Sequence, residues 1–383
     1  MDRKSPTPIY RVCLVGFGYR GRYLLQLLQQ LPSVQVVGIA DPQATESPGD
    51  EISLYNRGDQ DYRRMIEHER PDLVVIASPW QCHTEQALYC AKAGIHIALE
   101  IRGGTSWEDY TPLLEVAEVA GVRIYPLENT VFMREVMAIG QMIEQGVFGE
   151  ILYLRGGYRH DLRHLLVSPS GELGGEGAEA AWRVRYYLEQ EADLYPTHGF
   201  APLALWARLR REEEIKRLEA LASSSRGLAA YLDRYAIEGQ RPSILTPDIV
   251  TTQIETDRGI LISLIHDTTL PRPKSLDYEV QGTKGIWNAD RRALYLEGMS
   301  PEGAWQTDEP YLQHYLHPLW RAWGEEALRI DQHHQGMDYM MLRTLLEDLA
   351  HPGLYPTDLN DLALWSSITP RSAASLARGK LRN

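Results

Sequence analysis

Two stretches of the chain hold residues whose types and spacing could do chemistry. The first is Val12-Cys-Leu-Val-Gly16-Phe-Gly18-Tyr19-Arg20-Gly21, an apolar run that breaks at three glycines and continues as a helical pattern to Leu31. In a dinucleotide fold Gly16 permits the turn, Gly18 lets backbone approach a pyrophosphate, and Gly21 lets helix and strand pack closely. The phosphates then sit at the positive end of the helix. A second strand, Val34 to Ala40, ends at Asp41, where an acid would accept hydrogen bonds from an adenosine ribose. A carboxylate there would repel a 2′-phosphate, which favours NAD; the alternative is a structural glycine turn. The second stretch is Asp193-Leu-Tyr195-Pro196-Thr-His198-Gly199, preceded by Trp182-Arg183-Val-Arg185. Pro196 has its φ preset for a helix start, so His198 falls in a first turn. There the helix dipole disfavours imidazolium and leaves a ring able to accept a proton. Pro202 lacks the N–H that would bond the carbonyl of His198, so the backbone should bend there. The alternative is a helix start with an exposed histidine.

The elements that must position these residues alternate along the first part of the chain. Asp61 to Arg70 is a polar helix, and Asp72-Leu-Val-Val-Ile-Ala77 is a β-branched run suited to a strand buried on both faces. Trp80 and His83 open a helix to Ala93, Ile95 to Leu99 is a strand ending at Glu100, Trp107 to Ala120 is a helix, and Val122 to Pro126 is a strand followed by Leu127-Glu128-Asn129. Ligands of open parallel sheets bind at the carboxyl ends of the strands. Trp80, His83, Glu100, Glu128 and Asn129 therefore share one rim with the glycine turn.

From Gly149 the texture changes. Short strand patterns appear at Ile151 to Tyr158, Lys216 to Ser223, Ile249 to Glu255, Ile260 to His266 and Leu276 to Gln281, followed by helical Met337 to Ala350 and Asp358 to Trp365. The expected fold is α/β: an N-terminal Rossmann domain over residues 1–148, then an α+β domain over 149–383 on a largely antiparallel sheet. The later helices are free to pack back on the first domain, and substrate is expected in a cleft between the two.

Composition bounds the partners. The 383 residues are 44% hydrophobic and 24% charged, with no apolar run of membrane length. A net charge of −13 argues against nucleic acid and anionic membrane as partners. The N-terminus lacks the apolar core of a secretory signal, so as written the chain reads as cytoplasmic, as a trimmed secreted form also would. Cys13, Cys82 and Cys90 have neither disulfide nor zinc spacing and read as inert thiols; no metal site is expected.

The chain resembles the glucose-fructose oxidoreductase, inositol dehydrogenase and MocA (Gfo/Idh/MocA) family. It is most similar to the hydrolytic branch of that family, the NAD-dependent α-N-acetylgalactosaminidases of glycoside hydrolase family 109. The similarity runs over nearly the whole chain. It is densest in Gly16-Phe-Gly-Tyr-Arg-Gly21, Leu127-Glu-Asn129, Gly157-Tyr-Arg-His-Asp-Leu-Arg163, Tyr195-Pro-Thr-His-Gly199, Pro271-Arg-Pro273, Gln281-Gly-Thr-Lys-Gly285 and Gly336-Met-Asp338. Where ordinary dehydrogenases of the family carry Glu-Lys-Pro, this chain has Glu100-Ile101-Arg102; the lysine that assists the alcohol proton is missing, as in the hydrolytic branch. The resemblance implies NAD contacts from Tyr19, Arg20, Asp41, Trp80, His83, Glu100, Ile101 and Asn129, with His198 beside the nicotinamide. It implies sugar contacts from Tyr158, Arg183, Tyr195 and Glu128, with Tyr195 and His198 catalytic. Trp80 and Tyr158 as core aromatics, and Arg183 paired to an acid between Glu172 and Glu179, are the plain alternatives. Two positions depart from the family pattern: Arg102 stands where a proline is expected, and Lys274 near an expected aromatic sugar contact.

The implied chemistry explains why a hydrolase would hold NAD. Most glycosidases need two positioned carboxylic groups, and no such pair stands out here. Oxidation at C3 of the sugar acidifies the C2 proton; elimination then releases the C1 group, water adds, and reduction restores C3, so NAD turns over within the cycle. Arg183 would orient the sugar, and either Tyr195 or His198 could serve C2 or C3. The alternative is a plain NAD-dependent sugar or cyclitol dehydrogenase, with a silent dinucleotide-binding sensor third. The sugar, anomer and leaving group are not written in the sequence. A homo-oligomer, dimer or tetramer, is what the family implies.

Overall fold

The computed structural model describes residues 9–104, 106–235 and 242–380. Its contacts divide the chain into two compact units, one formed by the chain up to Phe132 with Leu319–Ala363, the other by Met133–Pro318 with the chain from Leu364 onward.

The first unit is built on six parallel strands: β1 (Tyr10–Val15), β2 (Val34–Ala40), β3 (Ser53–Tyr55), β4 (Leu73–Ile76), β5 (His96–Leu99) and β6 (Ile124–Pro126). They lie in the order β3-β2-β1-β4-β5-β6. β4 is buried along its whole length, as its β-branched composition requires of a strand covered on both faces. Helices Tyr19–Leu28, Asp61–Glu69, Trp80–Lys92 and Thr111–Ala120 connect the strands. The order reverses between β1 and β4, and such a switch point opens a crevice at the carboxyl ends of both. The helix Met337–Ala350 joins this unit from far along the chain. Its Asp348 accepts hydrogen bonds from Arg123 at 2.9 Å and Tyr125 at 2.8 Å, which seats it on the edge made by β6. Cys13 and Cys90 are buried free thiols, and burial pushes Cys13 up to about 12, out of reach of thiolate chemistry.

The second unit holds eight strands: β7 (Ile151–Arg159), β8 (Ile215–Ala222), β9 (Ile249–Thr256), β10 (Leu261–Asp267), β11 (Glu279–Gly282), β12 (Gly285–Asn288), β13 (Ala293–Leu296) and β14 (Gln306–Thr307). Their order is β14-β13-β12-β11-β7-β10-β9-β8, antiparallel throughout except that β7 and β10 run parallel. Strands β12 to β14 and the helix Pro318–Ile330 were not anticipated; each strand is four residues or fewer, too short for an alternation pattern.

The helix Thr197–Trp206 lies directly on β7. A Cβ on Gly199 would stand 2.6 Å from the Cα of Gly157, and one on Gly156 would stand 2.6 Å from the Gly199 carbonyl oxygen, so this approach exists only because Gly156 and Gly199 lack side chains. Pro202 sits inside the helix, and the His198 carbonyl that it leaves without an amide partner accepts instead from the Tyr278 hydroxyl. The C-terminal helix Ile368–Lys380 anchors the segment leading to His198: Thr369 Oγ1 donates to the Asp193 carbonyl at 2.7 Å, and the Asp193 N–H donates to Ser372 Oγ at 3.0 Å. No helix among the described residues is long and apolar enough to cross a membrane.

Candidate functional site

In the first unit the chemistry gathers at the carboxyl ends of the strands. Gly16 has φ +93°, and a Cβ there would stand 2.5 Å from the amide nitrogen of Ser78, so the turn after β1 fits against the end of β4 only as glycine. A Cβ on Gly21 would fall 2.1 Å from the Gly16 carbonyl oxygen, which is the close helix–strand packing expected of it. Gly18 is different: a Cβ there would meet nothing within 4 Å. It precedes the first turn of helix Tyr19–Leu28, whose N–H groups have no partners inside the helix. Asp41 stands at the end of β2 and accepts from the Phe17 N–H at 2.6 Å and the Gln43 N–H at 2.8 Å, tying the glycine turn to the second strand.

Arg20 joins residues that sequence spacing could not connect. Its Nε donates to Glu100 Oε1 at 2.6 Å, and its two terminal nitrogens grip Asp338 at 3.0 and 2.7 Å. Asp338 also accepts from Asn129 Nδ2 at 3.1 Å and pairs with His334 Nδ1. Burial opposes its charge, but Arg20 and His334 outweigh burial and hold the carboxylate well below its usual range. With the guanidinium so committed, what Arg20 can offer a cofactor is its main-chain N–H at the helix start. Asp331 caps the helix Met337–Ala350, accepting from the N–H groups of Asp338 at 2.9 Å and Tyr339 at 3.2 Å, and it also takes the Tyr23 hydroxyl. Asp331, His334 and Asp338 bring potential metal ligands within 4.8 Å of one another. Their oxygens, however, already receive N–H and O–H donors, and an arginine stands where a cation would. The cluster is a hydrogen-bond hub.

The remaining rim residues are close by. Trp80 is buried and donates to the Ile101 carbonyl at 3.2 Å, with the Arg102 guanidinium 4.7 Å over its ring. His83 is 1% exposed and sits 2.5 Å from the Ser78 carbonyl through Nε2, and burial pushes it down to about 4, so it is a neutral ring at pH 7. Glu128 is fully buried and turned onto Thr130, whose hydroxyl donates to it at 2.7 Å. Tyr19 is half exposed, its hydroxyl 3.0 Å from His333.

These residues fit a dinucleotide. Gly18 leaves the space over the first helical turn open to a phosphate pair. Asn129 presents a buried Oδ1 with no hydrogen-bond partner at the end of β6, an acceptor suited to a ligand hydroxyl or amide.

In the second unit Tyr158, Tyr195 and His198 form one aromatic cluster. The ring centres are 4.8 Å apart for the two tyrosines, and each tyrosine is 4.9 Å from His198. Arg183 lies 4.9 Å from the Trp182 ring and 5.6 Å from Tyr195. The sequence therefore named four residues that the fold assembles from β7, the helix Thr197–Trp206 and the segments before it. It gave no role to His160, whose Nδ1 is 3.3 Å from the Tyr158 hydroxyl, nor to Trp182 and Tyr278 as supports. It also gave Asp338 no role, although Gly336-Met-Asp338 was among the stretches that carry the resemblance.

Comparison with known proteins bears on both units. Residues 10–127 match the oxidoreductase family with an NAD-binding Rossmann fold, and residues 132–382 match the glycosyl hydrolase 109 C-terminal domain. A glycosyl hydrolase family 109 protein of Stenotrophomonas maltophilia is 33% identical over 96% of this chain and 86% of its own length. An alpha-N-acetylgalactosaminidase of Tannerella forsythia is 34% identical over 86% of this chain and 73% of its own. Among solved structures, levoglucosan dehydrogenase in complex with NADH and levoglucosan superposes with a TM-score of 0.68 at 18% identity, covering 96% and 97% of the two chains. The WlbA dehydrogenase of Bordetella pertussis, in complex with NADH and UDP-GlcNAcA, gives 0.66 at 18% identity over 97% and 96%. These two likenesses are of fold.

Proposed function

The chain belongs to the glycosyl hydrolase 109 family, and from that premise we propose that it is an NAD-dependent glycosidase acting on an N-acetylhexosaminide or related glycoside. The observation that carries the reading is the cluster of Tyr158, Tyr195 and His198 beside Arg183, which groups two proton-transfer side chains with aromatic faces for a sugar. The group at its heart is a phenol and an imidazole, suited to moving protons at a hydroxyl and at carbon, whereas direct hydrolysis of a glycoside uses a carboxylate pair.

The glycine turn and the helix start at Tyr19 would hold the NAD phosphates, Asp41 the adenosine ribose, and Asn129 Oδ1 a further polar group. When bound, NAD supplies reversible oxidation at C3 of the sugar, which acidifies the C2 proton and makes elimination at C1 possible. Tyr195 and His198 share the two proton transfers, one at the C3 hydroxyl and one at C2. Arg183 orients the sugar, and Tyr158 lines its face. His198 is held at the start of its helix by the Gly199–Gly157 approach and by Tyr278 on its carbonyl, so the ring keeps one position while protons move. Ile101, buried and aliphatic, stands where the dehydrogenases carry lysine and can move no proton. That argues for the glycosidase over the plain dehydrogenase suggested by the solved neighbours.

One assay separates the two. Purified protein is incubated with aryl glycosides and with free sugars while aglycone and NADH are followed together. Aglycone release without net NADH is expected, and stoichiometric NADH without aglycone would replace this reading with the dehydrogenase. Light scattering on the same preparation reads the homo-oligomer that the family resemblance implies.

A further inference from the structure

The glycosidase cycle moves protons at three places. Oxidation at C3 frees the hydroxyl proton, elimination takes the proton from C2, and the departing C1 oxygen must gain a proton unless it leaves as a stable anion. Tyr195 and His198 account for the first two. The aromatic cluster holds one more group of the right kind, the Tyr158 phenol, whose ring centre stands 4.8 Å from that of Tyr195 and 4.9 Å from that of His198. Arg183 stays charged and gives up no proton. Burial opposes the charge of Asp161, but Arg163 grips both its oxygens, at 2.8 and 2.7 Å, and holds the carboxyl below its usual range, so it stays ionised.

Backbone pairing sets a partner on the Tyr158 phenol. β7 ends at Arg159, which exchanges both main-chain hydrogen bonds with Ser275, at 2.8 and 3.1 Å, and the next N–H, that of His160, donates to the Asp267 carbonyl at 2.9 Å. The extended run therefore continues to His160. Side chains alternate along it, so His160 projects on the same side as Tyr158. Their rings lie edge to face, 5.9 Å apart at 82°, with His160 Nδ1 3.3 Å from the Tyr158 hydroxyl. Burial first, then the positive charges of Lys274, His164 and His198, push His160 down to about 4, against the opposing pull of Asp161, so the ring is neutral at pH 7. A neutral imidazole has one N–H and one acceptor nitrogen. Nε2 has no hydrogen-bond partner among the described residues, and the ring is only half-buried. With the N–H on Nδ1, His160 donates to the phenol oxygen and leaves the hydroxyl proton to point at a bound sugar.

We propose that Tyr158 is the acid that protonates the departing C1 oxygen, and that His160 is the positioning residue that aims its hydroxyl. This rests on the glycosidase reading and supplies the proton donor its elimination step requires. As the C1–O bond breaks, its electron pair stays on the aglycone oxygen, which takes the Tyr158 proton and leaves as a neutral alcohol. His160 Nδ1–H holds the phenolate left behind. When water adds, its oxygen bonds to C1, the phenolate takes one of its protons, and C2 recovers a proton from the group that removed one. Tyr158 ends each turn protonated, with no net proton or electron consumed.

The test compares the methyl and 4-nitrophenyl α-glycosides of N-acetylgalactosamine on the NAD-loaded protein, because 4-nitrophenolate leaves unaided and methoxide does not. Free sugar released from each is measured, and the methyl-to-nitrophenyl rate ratio is taken for the wild type and each variant. A ratio within one preparation cancels any fraction that fails to fold. Tyr158→Phe should lower the ratio by about 10²-fold or more. His160→Leu should lower it by about tenfold, and His160→Asn, whose amide can place an N–H where Nδ1 stands, should recover most of that loss. In heavy water the methyl glycoside recovered from Tyr158→Phe should carry deuterium at C2, since a C2 anion that cannot expel the C1 oxygen takes a proton back. A ratio unchanged in Tyr158→Phe or His160→Leu, a His160→Asn variant no better than His160→Leu, or recovered methyl glycoside free of label would overturn the proposal. Nitrophenol release with an unchanged ratio leaves the glycosidase reading standing without this one. No release by the wild type from either glycoside sinks both.

Discussion

Gly18→Val separates folding from cofactor binding more sharply than any other change in the glycine turn. Gly18 has φ −69° and ψ −167°, backbone that any residue adopts, and a Cβ there meets nothing within 4 Å. The cost to the fold is then confined to a poorer residue before the helix, at most about 1 kcal/mol. The added isopropyl group would occupy the space over the free N–H groups of the first turn. Losing two charge-assisted hydrogen bonds at about 1.5 kcal/mol each removes about 3 kcal/mol, an affinity loss of at least about 100-fold. Gly16→Ala and Gly21→Ala make the contrast, because their Cβ atoms would fall 2.5 Å from the Ser78 amide nitrogen and 2.1 Å from the Gly16 carbonyl oxygen. Both should lower the melting temperature markedly, since only backbone can yield. Thermal melts of the apoprotein and calorimetric NAD titration read the two effects separately. If Gly18→Val bound NAD within about threefold of wild type, or melted as early as Gly16→Ala, the assignment of this turn to the pyrophosphate would fail.

The remaining expectations test the hub, the buried histidine and the proton-transfer pair. Asp338→Ala strips the buried partner of Arg20 and should cost about 3 to 5 kcal/mol in urea unfolding as well as weakening NAD; a loss under about 1 kcal/mol would mean that Glu100 suffices to hold the arginine. His83 is pushed from an ordinary value near 6.5 to about 4. The unfolded chain therefore takes up its proton first as pH falls, and stability should drop by about 3 kcal/mol between pH 6.5 and pH 4. Asp338, held low, keeps its contribution through that window and loses it only in stronger acid. His83→Gln should make the slope between pH 6.5 and 4 shallower, with His160, also pushed down to about 4, keeping the rest; an unchanged slope would trace it to another group. His198→Ala should lower kcat by about 10² to 10⁴ while NAD still binds. In heavy water the wild type should place deuterium at C2 of the released sugar, and deuterium-free product from active enzyme would reject elimination.

What the sequence made legible followed from short-range pattern. The strand, glycine turn, helix and Asp41 declare themselves because each step is local, and the helix Met337–Ala350 was readable from composition to the residue. Arg183, Tyr195 and His198 stood out within one stretch, but their grouping with Tyr158 could be named only through resemblance, since nothing in spacing says that β7 and the helix at Thr197 meet. That meeting depends on Gly156 and Gly199, whose missing side chains leave no periodic trace. The Arg20–Asp338 pair spans 318 positions and left no pattern either. Proline 202 was read correctly as depriving His198 of an amide partner, but the phenol that replaces it comes from Tyr278, 80 residues on.

The way the units share the chain also bears on how the protein is made. The second unit, from Met133 to Pro318, interrupts the first, and the polypeptide passes between units three times before it ends. A ribosome that has finished all six strands of the parallel sheet has not yet produced Asp338, so Arg20 emerges without the carboxylate that later grips it with both terminal nitrogens. The nascent Rossmann sheet must wait about two hundred residues, ten or more seconds at ordinary elongation rates, for its last structural ligand. The Arg20–Asp338 pair is thereby deferred until most of the second unit has been synthesised. By the same token a gene fragment stopping at Phe132 would carry every dinucleotide motif and still lack the hub that sets Arg20, Glu100 and Asn129.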